Sequence, residues 1–186
     1  MMMTRSSVFV LLAFLSILSA SSLVSAAHTS PVLLEAIDND LTWFQEQGWN
    51  SLYEEGGFDC SRMSVFFWDY LRRAYGIDSD IVVSFEAGHA WLGIPTSEIG
   101  NTTIYPQYMV KGVSYYFLSS TSPCFVGCES EAYYSDLVYN GSVYVFDDPL
   151  EVVYFTCNGF YLSNDFRLTY PDLVKIRTIL PDYTPT

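Results

Sequence analysis

The chain has 186 residues, half of them apolar, with 15 Tyr, 13 Phe and a formal net charge of −13. So aromatic a composition excludes a disordered polar chain. So acidic a balance repels phosphate backbones and anionic bilayer surfaces, which argues against nucleic acid or a membrane surface as partner.

The first 27 residues have the layout of a secretory signal. Arg5 gives a basic start, residues 8–18 are apolar except for Ser16, and Val24-Ser25-Ala26 or Ser25-Ala26-Ala27 offers small residues for cleavage. An uncleaved anchor is the alternative, since residues 8–27 approach the roughly 20 residues a bilayer span needs. The serines after Ala20 weaken that alternative. Loss of the leader takes the 8 basic residues to 7 against 21 acidic ones, a net charge of −14. Residues 28–186 suffice for a single domain with its own core.

Ser30-Pro31 reads as a helix cap followed by proline at the first helical position. Leu33, Leu34, Ile37, Leu41 and Phe44 then recur at helical spacing up to Gly48. A second helix is predicted from the cap Asp59 to Tyr75, with Met63, Phe66, Phe67, Tyr70, Leu71 and Ala74 on its apolar face. Arg72 and Arg73 complement its C-terminal dipole and Gly76 stops it. Residues 81–85, 89–94, 103–110 and 113–118 read as strands. Residues 142–146 and 151–156 are strand-like, although Asp147-Asp148-Pro149 equally starts a helix. A short helix is predicted over 171–180, capped by Thr169. Helices first and strands afterwards predict an α+β fold, with N-terminal helices packed on a mostly antiparallel sheet.

Two histidines occur, and His28 borders the leader. Any imidazole base in the folded domain is therefore His89. Cys60 follows the cap Asp59, in the first turn of the second helix. Free amides there stabilise a thiolate and can hold an oxyanion. One helix and one strand separate Cys60 from His89, so packing that strand beside the helix start brings thiol and imidazole together, as a cysteine nucleophile requires.

At these residues the chain resembles the transglutaminase-like superfamily, particularly its exported archaeal and bacterial members. The resemblance lies in Phe58-Asp59-Cys60-Ser61, the helix end Leu71-Arg72-Arg73-Ala74-Tyr75-Gly76-Ile77-Asp78, Gly88-His89-Ala90-Trp91 and the strand Tyr115-Tyr116-Phe117. It covers roughly residues 45–125 and implies a papain-like core with Cys60 as nucleophile, His89 as base and an acid on the next strand. Ser119 stands where that acid is expected, and a hydroxyl can orient an imidazole but brings no charge. Trp49, Tyr53 and Trp91 are the candidate cleft-wall residues.

Other readings stay open. Cys60 could be a half-cystine of an exported protein, and His89 a structural histidine. With Cys60 free, two of Cys124, Cys128 and Cys157 pair, Cys157 bonding to Cys124 or Cys128. Cys124 and Cys128 make a poor zinc pair without a second core histidine, and Asp147-Asp148 is a cap or turn rather than a metal site. There is no Gly-rich phosphate loop, so neither cofactor nor metal is expected. Asn101 and Asn140 head glycosylation sequons. The sequence thus implies a secreted or cell-surface protein with a protein or peptide substrate. It is either a cysteine-dependent amide hydrolase or acyl transferase with a degenerate third position, or an inactive binding module on the same scaffold.

Overall fold

The computed structural model describes residues 30–54, 57–127, 130–157 and 168–179, so the leader expected over 1–27 lies outside the described residues. Among those residues, no helix is long and apolar enough to cross a membrane.

Helix α1 (Ser30–Glu46) buries Leu34, Ile37, Leu41 and Phe44, the three-and-four spacing read from the sequence. Gly48 follows in the left-handed region (φ 77°), and a single 3₁₀ turn runs over Trp49–Leu52. Helix α2 (Cys60–Tyr75) starts on Asp59, whose side chain accepts from the N–H groups of Ser61 and Arg62. It ends on Gly76, also left-handed (φ 69°), with Arg72 and Arg73 in its last turn. Both ends are thus set by the local chemistry expected of them.

Six strands form one antiparallel sheet: β1 (Asp80–Ser84), β2 (His89–Pro95), β3 (Tyr108–Val110), β4 (Val113–Ser119), β5 (Cys124–Phe125) and β6 (Tyr144–Phe146). Their order is β3-β4-β2-β1-β6, with β5 also pairing with β4. Every pairing is antiparallel, and the fold is α+β. Between β2 and β3 lies the short helix α3 (Thr96–Ile99). The others are α4 (Glu131–Tyr139), α5 (Pro149–Cys157) and α6 (Tyr170–Ile179).

Alternation along β2 separates two cores. Ala90, Leu92 and Ile94 join α1 and α2 in the larger one, with Leu41, Phe66, Phe67 and Leu71. Trp91 faces the other way, into a smaller core with Tyr108, Phe117 and residues Tyr134 and Leu137 of α4. Buried on both faces, β2 is the central element of the molecule.

Two segments differ from their sequence reading, and a third decides an alternative the sequence left open. Residues 103–107 are not extended and only 108–110 reach the sheet, because Pro106 cannot donate to a ladder. Residues 151–156 resolve as helix: Asp148 Oδ1 accepts from Leu150 N at 2.6 Å and Pro149 occupies the first helical position. Helix α4 lies where no element was expected. At the C-terminal end, Thr169 caps α6 as read. Asp172 Oδ2 returns to the Thr169 N–H at 2.8 Å and to its hydroxyl at 2.6 Å.

Candidate active site

Cys60 opens α2 and is 5% exposed. Asp59 holds that helix start. Its Oδ1 accepts from Ser61 Oγ at 2.6 Å and from two backbone amides, while Oδ2 accepts from Arg62 Nη1 at 2.7 Å. Arg62 also reaches Asp172 of α6 at 3.2 Å, so α6 braces the turn that carries Cys60. Ser64 Oγ donates to Cys60 O at 2.7 Å and bonds Ser120 Oγ at 2.9 Å, tying the same turn to the end of β4.

The Cys60 thiol donates to Gly88 O at 3.8 Å, and the Ala90 N–H bears on the sulfur. The sulfur therefore rests on the backbone on either side of His89. The acidic thiol expected from the helix dipole does not form. Burial pushes the Cys60 pKa up to about 11, and the Asp59 carboxylate adds to the rise. The amides of Ala90, Ser61 and Cys60 pull in the opposite direction without balancing it.

His89 opens β2 after a tight turn in which Gly88 takes a left-handed conformation (φ 60°). Gly88 is what lets the chain reverse there, since other residues pay for positive φ. The ring is half-buried on the α4 side of the sheet. It stacks on Trp91 with centroids 5.4 Å apart and 27° between planes, and lies 6.0 Å from both Tyr133 and Tyr134. Its Nε2 is 3.3 Å from Tyr134 Oη. Burial lowers its pKa to about 4, so the imidazole is neutral at pH 7. Thiol and imidazole both lie at the start of β2. Their hydrogen bonds go to Gly88 and Tyr134, not to each other.

The remaining sequence candidates divide. Ser119 ends β4 and accepts from Ser122 N at 3.4 Å; Tyr134, not Ser119, meets the imidazole. Trp91 is fully buried beside His89, and its indole N–H has no partner among the described residues. Trp49 is not a cleft wall. It is 4% exposed, packed among Phe44, Phe58, Phe66 and Phe67, and it donates to Ser120 O at 2.8 Å. The sequence missed this because an indole beside a charged loop reads equally as core or rim. Tyr53 is half-exposed at the end of the 3₁₀ turn.

Cys60 and Cys124 are both free thiols, so of the two bridges expected for Cys157 the one to Cys124 is not formed. Cys128 and the Cys157 side chain lie outside the described residues. Asn101 and Asn140 are exposed, and Asn140 donates to Asp136 Oδ1 at 2.7 Å.

Two residues of α4 went unread. Tyr134 is 5% exposed and Tyr133 is 50% exposed, and both feel the charge that Cys60 would carry as a thiolate. The only available signal was Ser130-Glu131 as a helix start ahead of Tyr134 and Leu137 at helical spacing. Arg62 and Asp172, 110 positions apart in the chain, left no local signal of their contact. Comparison of the chain with protein families, with curated proteins and with solved structures finds no match.

Proposed function

We propose that this protein is a cysteine-dependent amide hydrolase or acyl transferase of the transglutaminase-like type, acting outside the cytoplasm on protein or peptide amides. The observation that carries the reading is the Cys60 sulfur in the first turn of α2, seated on the Gly88–Ala90 backbone beside His89. The signal-like leader and the exposed sequon asparagines support the setting.

In this reaction the Cys60 sulfur attacks the amide carbon and its proton passes to the imidazole. The C–N bond then breaks, His89 returns the proton to the leaving amine, and a thioester remains on Cys60. Water releases the acid; an amine acceptor forms a new amide instead. In the resting protein both partners are neutral, with the thiol raised and the imidazole lowered. Proton transfer therefore waits for substrate to displace the groups around the sulfur.

One observation favours the second reading, an inactive binding module. Nε2 of His89 meets a phenol and not a carboxylate, so among the described residues no charged group is hydrogen-bonded to stabilise an imidazolium. Both readings are tested by incubating the protein with a mixed pool of Gln- and Asn-containing peptides, quenching in acid and weighing the intact chain. The enzyme reading expects an acyl adduct on Cys60 and amine or ammonia release that is lost in Cys60→Ala and His89→Gln. Peptide binding without adduct or release supports the module and defeats the enzyme.

A further inference from the structure

An imidazole that works through one nitrogen needs its other nitrogen held, because that contact selects the tautomer and fixes the ring angle. At His89 the holding group is a residue of α4, far along the chain from the motif. Tyr134 Oη lies 3.3 Å from Nε2, while Nδ1 has no hydrogen-bond partner among the described residues. The phenol is itself fixed. It is packed edge-on to Trp91 at 5.3 Å and against Phe117 at 5.9 Å, and Trp91 in turn stacks on the imidazole. Three aromatic rings thus lock the angle at which Oη presents itself.

We infer that Tyr134 is the positioning residue of His89: the contact of its Oη with Nε2 holds the ring angle and selects one imidazole tautomer. The group that meets the imidazole is thus Tyr134 and not Ser119, the residue at the expected acid's place in the chain. The contact is neutral. It fixes tautomer and orientation and adds no base strength, which suits a ring that burial already keeps uncharged. Its catalytic consequence rests on the thiol–imidazole function proposed above; the tautomer does not.

Nitrogen-15 NMR of histidine-labelled full-length protein reads the tautomer directly. With two histidines in the chain, His89 is assigned by the signals lost in His89→Gln. The wild type is expected to hold one tautomer in clear excess. Tyr134→Phe removes one oxygen and keeps the packed ring, so the tautomer ratio should move by about fivefold, the worth of one hydrogen bond. Trp91→Phe, which loosens the ring packed edge-on to the phenol, should move it in the same direction by less, and it serves as the second variant should Tyr134→Phe unfold. A wild-type His89 with the tautomer ratio of a free histidine, or a ratio unchanged in both variants, overturns the inference. Iodoacetamide alkylation of Cys60 at pH 8 separates this from the function. If the ratio moves and the Cys60 rate does not, the positioning role stands and the thiol–imidazole chemistry falls. If both move together, both stand.

Discussion

At Asp59 one side chain serves two opposed ends. Its carboxylate caps α2 and pairs with Arg62, which orders the turn that carries Cys60. The same negative charge raises the Cys60 pKa and so disfavours the thiolate. Asp59→Asn keeps one capping oxygen and removes the charge. The expected result is a several-fold faster Cys60 alkylation at pH 9, together with a stability loss of about 1–2 kcal/mol from the weakened bonds to Arg62 and the amides. Stopped alkylation followed by mass spectrometry gives the first quantity and urea denaturation the second. An unchanged alkylation rate would show that Asp59 has no electrostatic say over the sulfur.

The central strand β2 has little slack. Gly93 pairs with Asp80 on one side and Phe117 on the other. A Cβ at Gly93 would lie 2.8 Å from Tyr115 Cδ1 and 3.0 Å from Val82 Cγ2. The ring of Tyr115 is held in place by its hydroxyl, which donates to Asp80 Oδ2 at 2.7 Å. Gly93→Ala therefore overpacks the smaller core and should cost about 1–3 kcal/mol in urea denaturation. The displacement passes along β2 to Trp91 and the imidazole stacked on it. A loss below about 0.5 kcal/mol would mean that Tyr115 and Val82 yield freely.

The whole molecule stores its two reactive groups in their neutral forms, and its stability depends on pH accordingly. His89 binds a proton near pH 6.5 when unfolded and only near pH 4 when folded. Its contribution is complete above pH 6.5 and lost as pH falls from 6.5 to 4. Cys60 moves the other way, from 9.0 to about 11, so its contribution is complete below pH 9 and lost as pH rises towards 11. Half-buried Tyr105 and buried Tyr134, each raised from 10.0 to about 12, continue that alkaline decline. Urea denaturation across a pH series should show His89→Gln removing up to roughly 3 kcal/mol of the acid slope. Cys60→Ala should delay the alkaline slope until the tyrosines titrate. An acid limb that keeps its full slope between pH 6.5 and 4 in His89→Gln would assign it to carboxylates instead.

Local chemistry was legible in the chain. The Asp59 cap, the Gly76 stop, the Thr169 cap and the strand opening at His89 each depend on residues within a few positions, and each stands where the sequence placed it. That Cys60 and the start of β2 come together follows from one helix and one strand between them, but the hydrogen bond expected between thiol and imidazole is replaced by bonds to Gly88 and Tyr134. What only the tertiary structure decided was the environment of those two groups. The sulfur's acidity was settled by burial against α2 and β2, which outweighs the helix amides. The imidazole's partner was settled by α4, brought across the sheet from 45 positions away. Burial sums contacts from every layer of the fold and a partner can arrive from any of them, so neither is written in the residues that flank the site.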